Sequence, residues 1–134
     1  MTSLKAHPHL HLLQLIAIES DVSSKVTMVA PIARFGSMYD LVDHLEFEGL
    51  LQQLTTDHAE LVYNQVESAV QHLLERGLRH GDLAARNVLV FDIALDAPYR
   101  VHVKLADFGE TAPGRTTEDE LRALRNELHA IVSR

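Results

Sequence analysis

The chain contains no cysteine and no tryptophan. Without thiols there is no disulfide, no zinc–thiolate centre and no cysteine nucleophile, and the composition fits a reducing compartment. Basic residues are also scarce, 12 against 19 acidic ones, which leaves a net charge of −7. A chain holding nucleic acid or an anionic membrane through bulk charge would carry a basic footprint, so the balance argues against both partners. Long apolar runs are missing too. The most apolar tract, 10–18, is interrupted by His11 and Gln14 and is too short to span a bilayer. The start, Met1-Thr2-Ser3-Leu4-Lys5, runs into His7, Pro8, His9 and His11 rather than into a secretory signal. A soluble, cytoplasmic domain is expected. What is present suffices for a core: 46% of the 134 residues are hydrophobic, and the length is that of one ordinary domain, roughly 100–200 residues.

Two strands are expected first, at 12–18 and 26–30, joined by a polar turn and ended by Pro31, which cannot donate to a ladder. Gly36-Ser37 opens a helix carrying Met38, Leu41, Val42 and Leu45, closed near Gly49. A longer helix over 57–76 follows, with Asp57 and Glu60 spaced as a capping box and Gly77 as its stop. Its stripe of Val62, Val66, Ala69, Val70, Leu73 and Leu74 is core. Short strands are expected at 88–90 and 101–105, separated by a surface loop over 91–100. A polar stretch, 109–117, leads to a last helix bearing Leu121, Leu124, Leu128, Ile131 and Val132. Its acidic start, Glu118-Asp119-Glu120, complements the helix dipole.

Chemistry concentrates in 80–109. His80-Gly81-Asp82-Leu83-Ala84-Ala85-Arg86-Asn87 follows the long helix, and Asp107-Phe108-Gly109 directly follows a strand. The triplet Asp107-Phe108-Gly109 alone is weak, since a strand-ending aspartate before glycine is a common turn. Together, in this order and spacing, they resemble the catalytic loop and metal-binding triplet of eukaryotic protein kinases, with a tyrosine-kinase-like spelling of the loop. Leu4 to Leu10 is similar to the junction that kinases place before their fourth strand, which accounts for His7 and leaves metal binding by His7, His9 and His11 a minor alternative. Met28 to Leu41 is similar to the fifth strand, the hinge and the helix after it.

The resemblance implies an α+β, protein-kinase-like fold and phosphoryl transfer from ATP with Mg²⁺ to a protein hydroxyl. Asp82 would orient the acceptor and take its proton, Arg86 would lie near the γ-phosphate, and Asn87 and Asp107 would hold the metal. Ala30, Pro31 and Ala33 would line the adenine at the hinge, with Leu89 as its apolar floor. His80 and Phe108 would stack behind the triplet. The spelling His80-Gly81-Asp82 is also similar to that of aminoglycoside and choline phosphotransferases, so a small-molecule kinase is an alternative.

Departures from the family pattern shape the remaining expectations. No glycine-rich loop precedes residue 4, and none of the three lysines, Lys5, Lys25 and Lys104, stands where the phosphate-anchoring lysine would. Gly81 replaces the arginine that usually receives an activation-loop phosphate, and only ten residues separate Gly109 from Glu120. Asp119 or Glu120 would stand for the aspartate that anchors the catalytic loop. The expectation is one incomplete kinase-like domain over 1–134, dominated by its helical lobe. Residues 1–35 would be a remnant of the N-lobe sheet and hinge, and 36–134 a partial C-lobe. Two further expectations follow: a catalytically impaired pseudokinase or scaffold with a partner protein, and self-association through exposed N-lobe strands.

Overall fold

The computed structural model describes residues 17–20, 26–29, 33–106 and 112–133. Strands β1 (Ala17–Ser20) and β2 (Val26–Val29) pair antiparallel, with Ala17 opposite Val29 and Ser20 opposite Val26. The turn between them was expected to begin at Glu19, yet β1 runs through Glu19 and Ser20, so ladder pairing overrides their weak strand preference. Residues 12–16 of the expected first strand, and Pro31, lie outside the described residues.

Helix α1 (Met38–Phe47) starts where its sequence says it should. The Ser37 hydroxyl accepts from the Asp40 N–H at 3.3 Å while the Asp40 carboxylate accepts from the Ser37 N–H at 2.9 Å, a reciprocal cap that satisfies two orphan donors. Met38, Leu41, Val42 and Leu45 all face the core. Helix α2 (Thr56–Leu74) begins differently from its expectation. Its cap is Thr55, two residues before Asp57, and the partner three positions on is His58, not Glu60. His58 Nδ1 accepts from the Thr55 N–H at 3.0 Å, so its proton sits on Nε2, which donates to the Ala94 carbonyl at 3.0 Å. A fully buried imidazole thus ties the helix start to the far end of a hairpin. Glu60, released from capping, serves another helix.

That hairpin is β4 (Val88–Ala94) and β5 (Arg100–Leu105), longer than the two short strands expected. The ladder slips one residue between Val90 and Asp92, a bulge that breaks the alternation of the apolar positions and hid the strand's second half in the sequence. The loop shrinks to 95–99, and an Arg100–Asp92 ion pair at 2.6 Å fastens its base. Val88, Val90, Val103 and Leu105 are completely buried, β5 packing against α2 and β4 against α1. Gln65 of α2 acts as one more strand residue: its Nε2 donates to Val101 O at 2.6 Å and its Oε1 accepts from Val103 N at 2.9 Å.

Within the polar stretch 109–117 the structure forms β6 (Ala112–Pro113), antiparallel to β3 (Leu78–Arg79). Helix α3 (Glu118–Val132) then starts on a Thr117–Glu120 capping box and buries Leu124, Leu128, Ile131 and Val132 against α1 and α2. The class is α+β as expected: among the described residues, three α-helices with small antiparallel sheets.

Candidate active site

The loop between β3 and β4 is held by its own polar groups. His80 is fully buried. Its Nδ1 accepts from the Asp82 N–H at 3.2 Å, and its Nε2 donates to the Ala106 carbonyl at 2.5 Å, so the loop's first residue is tied to the residue preceding Asp107. Gly81 has φ of 87°, a conformation that costs an L side chain roughly 1–2 kcal/mol. The backbone shape thus gives a physical reason for glycine where the family pattern has arginine.

Asp82, Arg86 and Asn87 lie together in this loop. The Asn87 amide nitrogen donates to the Asp82 backbone carbonyl at 2.9 Å and to Asp82 Oδ2 at 3.0 Å, while Arg86 Nη2 meets Asp82 Oδ1 at 2.5 Å. The Asn87 amide first, and then the Arg86 guanidinium, hold the Asp82 carboxyl below the usual carboxylate range. With both amide hydrogens turned onto Asp82, Asn87 Oδ1 accepts no hydrogen bond among the described residues, and an oxygen of that kind suits a hard cation. The Ala106 N–H donates to the Asn87 carbonyl at 2.8 Å, bringing the two motifs side by side. Arg86 lies on Asp82, with more than half of its side chain exposed.

The linker that begins at Ala33 lies along β4. Phe35 N–H donates to Val90 O at 3.1 Å, Val90 N–H donates to Gly36 O at 2.8 Å, and Ser37 bridges to Leu89. Leu89 is half-buried opposite Lys104, whose ammonium sits over the Phe91 ring. Ala30, Pro31, Asp107 and Phe108 lie outside the described residues.

Of the two residues expected to anchor the loop, Asp119 pairs with Arg122 at 3.1 Å, while Glu120 caps α3 and lies 3.8 Å from Arg79, the residue just before the loop. Glu127, two turns further along, bonds the loop itself: its Oε1 accepts from the Ala85 N–H at 2.8 Å and its Oε2 from the Tyr39 hydroxyl at 2.6 Å. Ala85 is fully buried, and leaving its N–H unpaired would cost about 1–3 kcal/mol. A signal existed in the sequence. Glu127 stands three residues after Leu124 and four before Ile131, a carboxylate inside an apolar stripe.

Residues 1–130 match the family model for protein tyrosine and serine/threonine kinases. The chain belongs to the protein kinase family. This kinase chain is 36% identical over 98 residues to the tyrosine protein-kinase src-1 of Caenorhabditis elegans, covering 68% of itself and 18% of that protein. It is 29% identical over 112 residues to the serine/threonine-protein kinase PSK1 of Saccharomyces cerevisiae, covering 84% of itself and 7% of that protein. With the human NUAK family SNF1-like kinase 2 it shares 34% over 111 residues, 81% of itself and 15% of the relative. Among solved structures, that of the Rad53 kinase domain and SCD2 matches with a TM-score of 0.64 at 21% identity, over 84% of this chain and 37% of that one. The same pair in complex with AMPPNP matches with a TM-score of 0.61 at 23% identity, over 81% and 38%. The fold is therefore kinase-like, and the kinase chain spans less than a fifth of these sequence relatives and under two-fifths of the solved chains.

Proposed function

We propose that this kinase chain carries the catalytic-loop half of an ATP- and Mg²⁺-dependent phosphotransferase acting on a protein hydroxyl, with tyrosine the first acceptor to test. The observation that carries this reading is the Asp82–Asn87 pair, in which one amide orients the carboxylate and keeps its own oxygen directed elsewhere. Asp82, held ionised, accepts the proton of the acceptor hydroxyl as its oxygen bonds to phosphorus and ADP departs. Arg86, more than half exposed and paired with Asp82, adds positive charge beside the transferring group. Asn87 Oδ1 and the Asp107 carboxylate would hold Mg²⁺, which supplies neutralisation of phosphate charge when bound. Ala30, Pro31, Ala33 and Leu89 would receive the adenine.

A matching solved kinase carries AMPPNP, which supports a nucleotide as the ligand class here. We further propose that 1–134 is one partial kinase domain, divided near 35 into strand remnant with hinge and helical lobe, and that it works in the cytoplasm with a protein substrate or partner. No helix of the described residues is long and apolar enough to cross a membrane. A binding scaffold is favoured by one observation: Lys104, the only lysine among the described residues, is engaged over Phe91.

Calorimetric titration with ATP tests the nucleotide site. Heat that requires Mg²⁺ and falls in Asn87→Ala is expected. No heat, beside a control kinase that binds, would overturn the nucleotide site and with it the phosphotransferase reading.

A further inference from the structure

Glu127 bonds both the linker-side helix and the catalytic loop, and it does so with its two carboxylate oxygens separately. Tyr39 lies in the first turn of α1, immediately after the linker 33–37 that pairs with β4, the strand of Leu89. Ala85 opens the short turn Ala85–Asn87, midway between Asp82 and Asn87. That turn closes on itself through the Asn87 N–H and the Ala84 carbonyl at 2.9 Å, which leaves the Ala85 N–H pointing away from it. A carboxylate 42 positions later in the chain fills that demand.

We propose that Glu127 is a positioning residue that couples the linker to the catalytic loop, holding Asp82 and Asn87 in register with the strand that carries Leu89. The chemical consequence rests on the phosphotransferase reading above; the register itself does not. Charge-assisted bonds to a hydroxyl and a backbone N–H are short and directional, and they fix the height of the turn where a packing contact would let it slide. A displacement of the order of 1 Å at such a loop costs up to about 10²-fold in rate. Because the carboxylate is shared, loss of the Tyr39 hydroxyl is felt at Ala85, although the two residues are not bonded to each other.

Three variants of the full chain test this: Glu127→Met, which keeps bulk without acceptors, Glu127→Gln, which keeps an acceptor, and Tyr39→Phe. The first readout is hydrogen exchange at the Ala85 amide, resolved by NMR, with α3 amides as internal control. Exchange at Ala85 on the order of tenfold faster in Glu127→Met is expected, with α3 unchanged and Glu127→Gln close to wild type. Tyr39→Phe should shift Ala85 in the same direction by less. The second readout is turnover: kcat should fall on the order of 10–100-fold in Glu127→Met while KM for ATP holds, and recover in Glu127→Gln. Unchanged Ala85 exchange in Glu127→Met overturns the proposal. So does equal loss in Met and Gln accompanied by α3 opening, which marks a packing role. If Glu127→Met does not fold, unchanged Ala85 exchange in Tyr39→Phe overturns the coupling. If wild type shows no turnover, the phosphotransferase reading fails and the exchange measurements still decide the register.

Discussion

Asp82 receives hydrogen bonds on both carboxylate oxygens and on its backbone carbonyl, all from residues within five positions of it. That locality is why the site could be read from the sequence: one short loop brings base, cation and amide together whatever the rest of the chain does. It also yields a residue-level prediction. The Asn87 amide contributes most to lowering the Asp82 carboxyl, and Arg86 comes next. Removing the guanidinium in Arg86→Ala should therefore move the carboxyl part of the way back up, toward the ordinary carboxylate range. A ¹³C NMR titration of the Asp82 carboxyl in both proteins reads this without any assay of turnover; superimposable curves would show that Arg86 does not act on Asp82. Glu127 was not legible in the same way. Its partners lie 42 and 88 residues away, and only a fold says which stripe meets which loop.

Two features decide how the elements hold together, and each carries a prediction. Between α2 and α3, Glu60 accepts from Arg125 Nε at 3.0 Å and lies 2.8 Å from His129 Nε2, with Arg125 Nη2 on its other oxygen. The Arg125 hydrogen bonds first, then the His129 contact, hold the Glu60 carboxyl at about 2, against an ordinary value of 4.5. A lowered carboxyl stabilises above its unfolded value and loses that contribution as pH falls through the folded one. The melting temperature of Glu60→Gln should therefore lie below wild type above pH 4.5, and the gap should close between pH 4.5 and 2. The groups are a third to a half exposed, so the gap is modest and shrinks with added salt. A gap independent of pH would rule out the ion pair as its source. Two residues earlier in α2, His58→Leu preserves bulk but orphans the Thr55 N–H and the Ala94 carbonyl, and about 1–3 kcal/mol of stability should be lost in urea unfolding. Full stability in that variant would mean the imidazole is mere filling. Elements were legible where a cap or a stripe is local, as at Ser37 and along α3. They were misjudged where a tertiary partner decides, as at the His58 cap, the bulge in β4 and the two-residue ladder of β3 with β6.

At the scale of the whole molecule, the helices and the β4–β5 hairpin share one core, whereas β1 and β2 pair only with each other among the described residues. A two-stranded ribbon is marginal alone, and among the described residues no strand pairs along its outer edges. We therefore expect the chain to self-associate, or to require a partner along that edge; light scattering after size exclusion should give a mass that rises with concentration, and a monodisperse monomer would argue otherwise. The central claim is that Asp82 serves phosphoryl transfer. Its most direct test is transfer of labelled γ-phosphate from ATP and Mg²⁺ to tyrosine and serine/threonine peptides, by wild type and by Asp82→Asn with matched melting temperatures. Transfer by wild type, reduced on the order of 10²–10⁴-fold in Asp82→Asn, is the predicted result. Equal rates in the two proteins would contradict it.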